Sequence, residues 1–109
     1  MIIGNIKDTE KGWFIGNFPK AIFKSEDFEV SWRIHPAGEE WDLHYQEKAI
    51  EINLLIDGEM LLNGQVITPG DVFIIPPYEI TDVKFIKNCS VVCVKTPSLP
   101  SDKVIVHKK

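Results

Sequence analysis

The sequence predicts an all-β domain, an antiparallel sandwich or barrel. Three observations carry this. Apolar and polar residues alternate over short runs; Asx-Gly and Pro-containing turn signals separate those runs; and no stretch of useful length carries the stripe of an amphipathic helix. A chain of 109 residues is sized for one domain with one core. Its 44% hydrophobic and 26% charged residues are the ordinary proportions of a globular protein, so neither disorder nor a membrane span is suggested.

The first clear strand is FEVSWRI. Phe28, Val30, Trp32 and Ile34 share one face, and Glu29, Ser31 and Arg33 share the other, which continues to His35. This predicts a strand whose apolar face is dry. AIEINLLI follows and ends at Asp57-Gly58; EMLLN follows that and ends at Asn63-Gly64, and both pairs favour tight hairpin turns. QVI leads to Pro69-Gly70, VFII to Pro76-Pro77, and DVKFI and SVVCVK complete the series. Only PKAIFKSED offers a candidate helical turn. The tail TPSLPSDKVIVHKK is expected to wrap the domain as an edge segment or to remain partly loose. The organisation expected is one domain over 1–109, with 1–12 and 97–109 as peripheral segments.

AIEINLLI also predicts an inside and an outside. Glu51 and Asn53 share a face with Ala49 and Leu55, while Ile50, Ile52, Leu54 and Ile56 form an aliphatic row on the other. A polar inner face suits a barrel with an internal site. The outer row then needs cover, which predicts a homodimer formed through sheet faces; the rival cover is the N-terminal MIIGNI of the same chain.

Charge narrows the partners. The net charge is −4, and sixteen acids outnumber twelve basic residues of which only Arg33 is an arginine. A nucleic-acid binder would show a basic face. No apolar run approaches the ~20 residues of a membrane span, and the N-terminus lacks the basic start and apolar core of a signal peptide. No nucleic-acid or membrane partner is expected, and the expected location is the cytoplasm. Cys89 and Cys93 do not form a CxxC motif. On one strand they would lie roughly 13 Å apart, beyond the ~7 Å Cα separation a disulfide allows, so two buried free thiols are expected.

The stretch from Gly38 to Gly58 resembles the first motif of the cupin superfamily: a glycine, five residues, His-x-His, three or four residues, a glutamate, six residues and a glycine. Gly38, His44, Glu51 and Gly58 fall at those spacings, with Gln46 where the second histidine stands. The second cupin motif is half present. Gly70 and Pro76 match, but Tyr78, Thr81 and Phe85 replace its glycine, histidine and asparagine. The resemblance spans Gly38 to Phe85 and implies a cupin-like antiparallel β-barrel, the double-stranded β-helix or jelly roll.

Cupins with a full ligand set hold a divalent transition metal through three histidines and a glutamate. The resemblance therefore implies a metal site at His44, Gln46 and Glu51, for iron, nickel, manganese, zinc or copper. Two of the four ligands are changed. Gln46 is a neutral, weaker donor and Thr81 a poor one, so the alternatives are a loose metal site, a hydrogen-bonded polar cluster without metal, or an unusual set completed by Glu79 or His35. His44 and Glu51 are also the candidate catalytic acid–base groups.

Among candidate ligand-binding residues, Arg33 could clamp a carboxylate or phosphate, or could pair with an acid such as Glu29. Gln46, Tyr78 and Thr81 join it, Tyr78 through the loop that opens toward the site in related folds. Glu39, Glu40, Asp42 and Glu47 crowd the approach to His44, where a solvated loop is expected; at the mouth they would oppose an anion. Trp13, Trp32 and Trp41 could stack on a ligand but more commonly pack in a core. Tyr45 should face outward and His107 solvent. No nucleophile elbow or Gly-rich phosphate loop is present. The function expected is a small-molecule-binding cupin whose internal pocket takes a small polar molecule. The alternative is a metal-dependent cupin enzyme of isomerase, lyase or dioxygenase type, acting on a small polar metabolite such as a sugar derivative.

Overall fold

The computed structural model describes residues 1–107. Its strands are β1 (Trp13–Gly16), β2 (Phe23–Lys24), β3 (Glu29–His35), β4 (His44–Gln46), β5 (Ile50–Asp57), β6 (Met60–Leu62), β7 (Gln65–Ile67), β8 (Val72–Ile75), β9 (Val83–Phe85), β10 (Cys89–Thr96) and β11 (Lys103–Ile105). One sheet runs β2-β1-β3-β10-β5-β8. Facing it are the ladder β7-β6-β9 and the pair β11-β4, tied by bridges from Glu40 to Lys84 and from His44 to Thr81. The core forms where the two layers meet: Leu55, Val91 and Cys89 of the large sheet pack on Met60, Ile67 and Phe85 of the opposite ladder. No helix among the described residues is long and apolar enough to cross a membrane.

Among the described residues the only helical element is a 3-10 turn at Ile6–Asp8, where the Asn5 side chain accepts from the Lys7 amide. PKAIFKSED forms no helix. So short a segment cannot repay helix nucleation, and its amides are drawn to β1 instead: Ile22 N–H donates to the Phe14 carbonyl and Ser25 N–H to that of Gly16. Of the two Asx-Gly signals only Asn63-Gly64 closes a hairpin, β6 to β7; Asp57-Gly58 leads instead from β5 in the large sheet to β6 in the opposite ladder. Asn63 and Gly64 take φ of 52° and 78°, the left-handed pair of a type I′ turn. Gly58 takes φ of 105°, and a Cβ there would lie 2.4 Å from the Asn88 carbonyl oxygen. Gly58→Ala should therefore cost about 2 kcal/mol or more, read by urea unfolding.

The period-2 expectation for β5 agrees with the burial. Asn53 and Leu55 are buried, whereas Ile50, Leu54 and Ile56 are exposed. The expectation for β3 is reversed. Glu29, Ser31 and His35 are buried, while Phe28, Trp32 and Ile34 are exposed. Alternation defines two faces but not which one turns inward; the neighbours decide. The inward residues of β3 meet polar partners across the sheet, in the rows Glu29–Lys95–Glu51–Ile75 and Ser31–Cys93–Asn53–Phe73. Glu29 also accepts from the Ser98 hydroxyl at 3.2 Å. Outside, apolar rows line up as Trp32–Val92–Leu54–Val72 and Val30–Val94–Ile52–Ile74.

The tail wraps the domain as an edge segment. β11 pairs with β4, and the buried Asp102 carboxylate accepts from the Lys48 amide at 3.1 Å and the Ala49 amide at 2.8 Å. This clamp fixes the turn between β4 and β5, which carry His44, Gln46 and Glu51. Lys108 and Lys109 lie outside the described residues.

Candidate functional site

A cavity of about 370 Å³ lies between the layers. Among the residues singled out in the sequence, Arg33, His35, His44, Glu51 and Thr81 line it. His44 reaches it from β4, hydrogen-bonded through Nδ1 to the Asp42 carbonyl at 3.0 Å. With that nitrogen protonated, Nε2 carries the lone pair, 3.3 Å from the Thr81 hydroxyl. Burial lowers the His44 pKa, and the positive charges of Lys103 and Lys95 lower it further, against the Asp42 carbonyl and Glu51. Glu51 comes from β5. It accepts from the Asn53 amide at 2.9 Å and lies 3.9 Å from the Lys95 ammonium.

Lys95 stands between Glu29 and Glu51 in its row and over the Trp13 ring at 5.1 Å. Lys103, from the tail, lies 4.4 Å over Trp41, and the Arg33 guanidinium is 5.3 Å from the centre of the same ring. Burial, then the neighbouring Lys95 charge, lowers the Lys103 pKa. Burial raises that of Glu29, against Lys95 and Ser98. The Cys93 thiol in the cavity wall is held well above its ordinary range by burial and by Glu51, which disfavours the reactive thiolate.

At the far end His35 stacks on Phe85, with ring centroids 4.4 Å apart, and bonds through Nδ1 to Glu39. The Trp41 indole donates to the same carboxylate at 2.7 Å. Burial lowers the His35 pKa more than Glu39 raises it. For Glu39, burial pushes upward, but the hydrogen bonds from Trp41 and His35 prevail and hold it low.

Both histidines thus bind protons less readily in the folded state than in the unfolded chain. Stability should be complete well above pH 6.5 and fall as the pH drops below it, because the unfolded chain then takes up protons first. Glu39 acts in the same direction at lower pH, whereas Glu29 acts in the opposite one. A melting temperature lower at pH 5.5 than at pH 7.5 is expected, with a smaller difference in His35→Asn.

The sequence expectations separate at this point. Gln46 is buried beside its neighbours on β4 but lines an adjoining outer chamber rather than the cavity of His44 and Glu51. Tyr78 does not line the cavity. It has φ of 67°, a conformation that turns its ring onto Tyr45, 5.7 Å away, and leaves it 66% exposed. Glu79, Glu40, Asp42 and Glu47 are also exposed and outside the cavity lining. Trp32 lies on the outer face and donates to the Ser90 hydroxyl. The cysteines are free, Cys89 buried and Cys93 partly so.

The donor set does not fit a transition metal. Thr81 occupies the lone-pair side of His44, Glu51 is engaged by Asn53 and faces an ammonium group, and Gln46 belongs to the next chamber. Among the described residues, no three His, Cys, Asp or Glu side chains converge to hold a metal ion.

Lys95 and Lys103 did not emerge from the sequence. A signal for Lys95 existed, since it shares strand parity with the inward Cys93. Lys103 had none, because a proline-bearing tail brings it in.

No family model and no curated protein matches the chain. Solved structures do. An uncharacterized conserved protein with a double-stranded β-helix domain from Klebsiella pneumoniae is 20% identical, with 77% of this chain and 74% of that one covered and a TM-score of 0.67. A DMSP lyase from Ruegeria pomeroyi is 22% identical with a TM-score of 0.68; the match covers 86% of this chain but only 49% of the lyase. An RmlC-like cupin from Shewanella frigidimarina is 16% identical with a TM-score of 0.62, covering 70% and 71%. Two facing layers, antiparallel except for the parallel β1–β2 pair, the cavity between them and these likenesses agree: the chain has a double-stranded β-helix fold.

Proposed function

We propose that the protein binds a small organic carboxylate inside the barrel and does not convert it. The observation that carries this is the charge of the cavity wall. Lys11, Arg33, Lys95 and Lys103 line it against a single acid, Glu51. The acidic loop residues Glu40, Asp42 and Glu47, which would oppose an anion at the mouth, lie outside the lining. The excess positive charge is modest. Lys95 is shared with Glu29 and Glu51, and Lys103 carries its proton less firmly than an ordinary lysine. That suits one negative charge better than a phosphate dianion, and the Arg33 fork fits a carboxylate plane. Titration calorimetry tests this. Small carboxylates should bind more tightly than inorganic phosphate, and Lys103→Ala should weaken them about tenfold, or ~1.4 kcal/mol, without lowering the melting temperature. If no carboxylate gives heat or raises the melting temperature, the proposal fails.

A second reading, an enzyme acting on the same ligand class, has His44 in its favour. His44 and Glu51 line the same cavity, and burial disfavours a proton on His44, as a general base requires. The metal-dependent form of this reading rests on His44 and Glu51 alone. Elemental analysis of protein purified without a metal-affinity step decides it: stoichiometric iron, nickel, manganese, zinc or copper would displace the metal-free reading.

A further inference from the structure

The two best-placed polar groups of the inner cavity already have partners. The His44 Nε2 lone pair faces the Thr81 hydroxyl at 3.3 Å. Glu51 accepts from the Asn53 amide at 2.9 Å and lies 3.9 Å from the Lys95 ammonium. His35 differs. It is only 6% exposed and lines the cavity, whereas Glu39, which holds its Nδ1, does not line it. Among the described residues nothing hydrogen-bonds to the other ring nitrogen, Nε2. That nitrogen is also not one of the side-chain atoms sealed from solvent without a partner. It therefore opens into the cavity.

The neighbours fix the state of this ring. The hydrogen bonds from Trp41 and His35 hold Glu39 ionised, so its carboxylate only accepts and Nδ1 carries the proton. Burial opposes a second proton on the ring. Nε2 is left with a lone pair that wants a donor. Phe85 stacks on the ring at 4.4 Å and Trp41 stands edge-on to it at 5.8 Å, so the wanted group is one polar hydrogen within an aromatic collar.

Strand register orders the cavity. Glu29, Ser31, Arg33 and His35 follow one another on one face of β3. Glu29 falls in the row of Lys95 and Glu51, and Ser31 in that of Cys93 and Asn53. The charged rows are thus at one end and His35 at the other, about 7 Å beyond Arg33 along the strand.

We infer that His35 is a ligand-binding residue and that the ligand is a hydroxycarboxylate, its carboxylate held by Arg33 and the lysines and its hydroxyl donating to His35 Nε2. This rests on the carboxylate reading above and adds the second functional group. A ligand without the hydroxyl that displaced water here would leave Nε2 unpaired, so the site rejects it more strongly than one gained hydrogen bond would imply.

Butyrate, the 2-, 3- and 4-hydroxybutyrates, and the methyl ether of whichever hydroxybutyrate binds best are titrated into the full chain by calorimetry. The best hydroxybutyrate should bind about tenfold more tightly than butyrate and than the ether, which keeps the oxygen without its proton. His35→Phe, which keeps a ring against Phe85, should bring that hydroxybutyrate to the level of butyrate. An advantage that survives the substitution would put the hydroxyl at Ser31 or Asn53 and overturn the proposal. Should the variant fail to fold, nitrogen NMR of the unaltered protein decides: the bound hydroxybutyrate should shift the unprotonated ring nitrogen of His35, and no shift would overturn the proposal. Equal affinity for butyrate and all three hydroxybutyrates would overturn the role of His35 and leave the carboxylate reading standing. Binding of none of them would overturn both.

Discussion

Ile52→Glu is expected to convert a homodimer into a folded monomer, with the mass in light scattering at micromolar concentration falling to that of one 12.4 kDa chain. The outer face of the large sheet motivates this. Trp32, Ile34, Ile50, Leu54, Ile56, Val72 and Ile74 are all exposed there, and the cross-strand rows that contain Ile52 make the surface continuous. These side chains form one broad apolar face, of a kind monomers seldom leave open. Of the N-terminal MIIGNI, Met1, Ile2 and Ile3 are almost fully exposed; Ile6 reaches the face beside Trp32 and Ile34, which leaves Leu54, Ile56, Val72 and Ile74 open. Two copies meeting face to face across a two-fold axis would bury both surfaces, and closed two-fold symmetry is the commonest arrangement. A glutamate at the centre of that contact would be desolvated without a partner. A monomeric mass for the unaltered protein would remove the basis of this prediction.

Asp102→Ala should lower stability by about 3 kcal/mol, a large share of the ~5–15 kcal/mol total expected of a domain. The Asp102 carboxylate serves two consecutive backbone amides, Lys48 and Ala49. Ala49 is only 1% exposed, so water has little access to its amide once the carboxylate is gone. Hydrogen bonds to a charged group contribute about 1.5–3 kcal/mol each, and an abandoned buried donor costs about 1–3 kcal/mol. In a domain of this size the loss corresponds to roughly 15 °C in Tm. Asp102→Asn keeps one acceptor oxygen and should lose about half as much. The same substitution loosens the turn that sets β4 against β5 and frees the start of β11, so carboxylate binding should weaken with it. A calorimetric Tm within about 2 °C of the unaltered protein, on the same scale, would show that the clamp is dispensable.

Local periodicity and turn chemistry made much of this protein legible in its sequence. The alternation in AIEINLLI separates Asn53 and Leu55 from Ile50, Leu54 and Ile56, because successive side chains on a strand must point to opposite sides. Asn63-Gly64 and Gly58 mark turns that only left-handed backbone can make. The spacing from His44 to Glu51 spans one short turn between adjacent strands, so their arrival at a common cavity follows from chain connectivity.

Tertiary structure decided what depends on distant neighbours. β3 alternates as expected, yet its polar side turns inward because Lys95, Cys93 and Asn53 line the matching rows on β10 and β5. Tyr78 lies in the expected loop, but its positive φ sends the ring outward. Gln46 shares a strand face with His44 and still opens into a different chamber. Lys103 comes from a segment without pattern, carried to the cavity by the pairing of β11 with β4 and the Asp102 clamp. A strand's period sets which residues lie together on one face. Which face is inside, and which charges meet across the cavity, is set by contacts between segments far apart in the chain, and no local pattern encodes those.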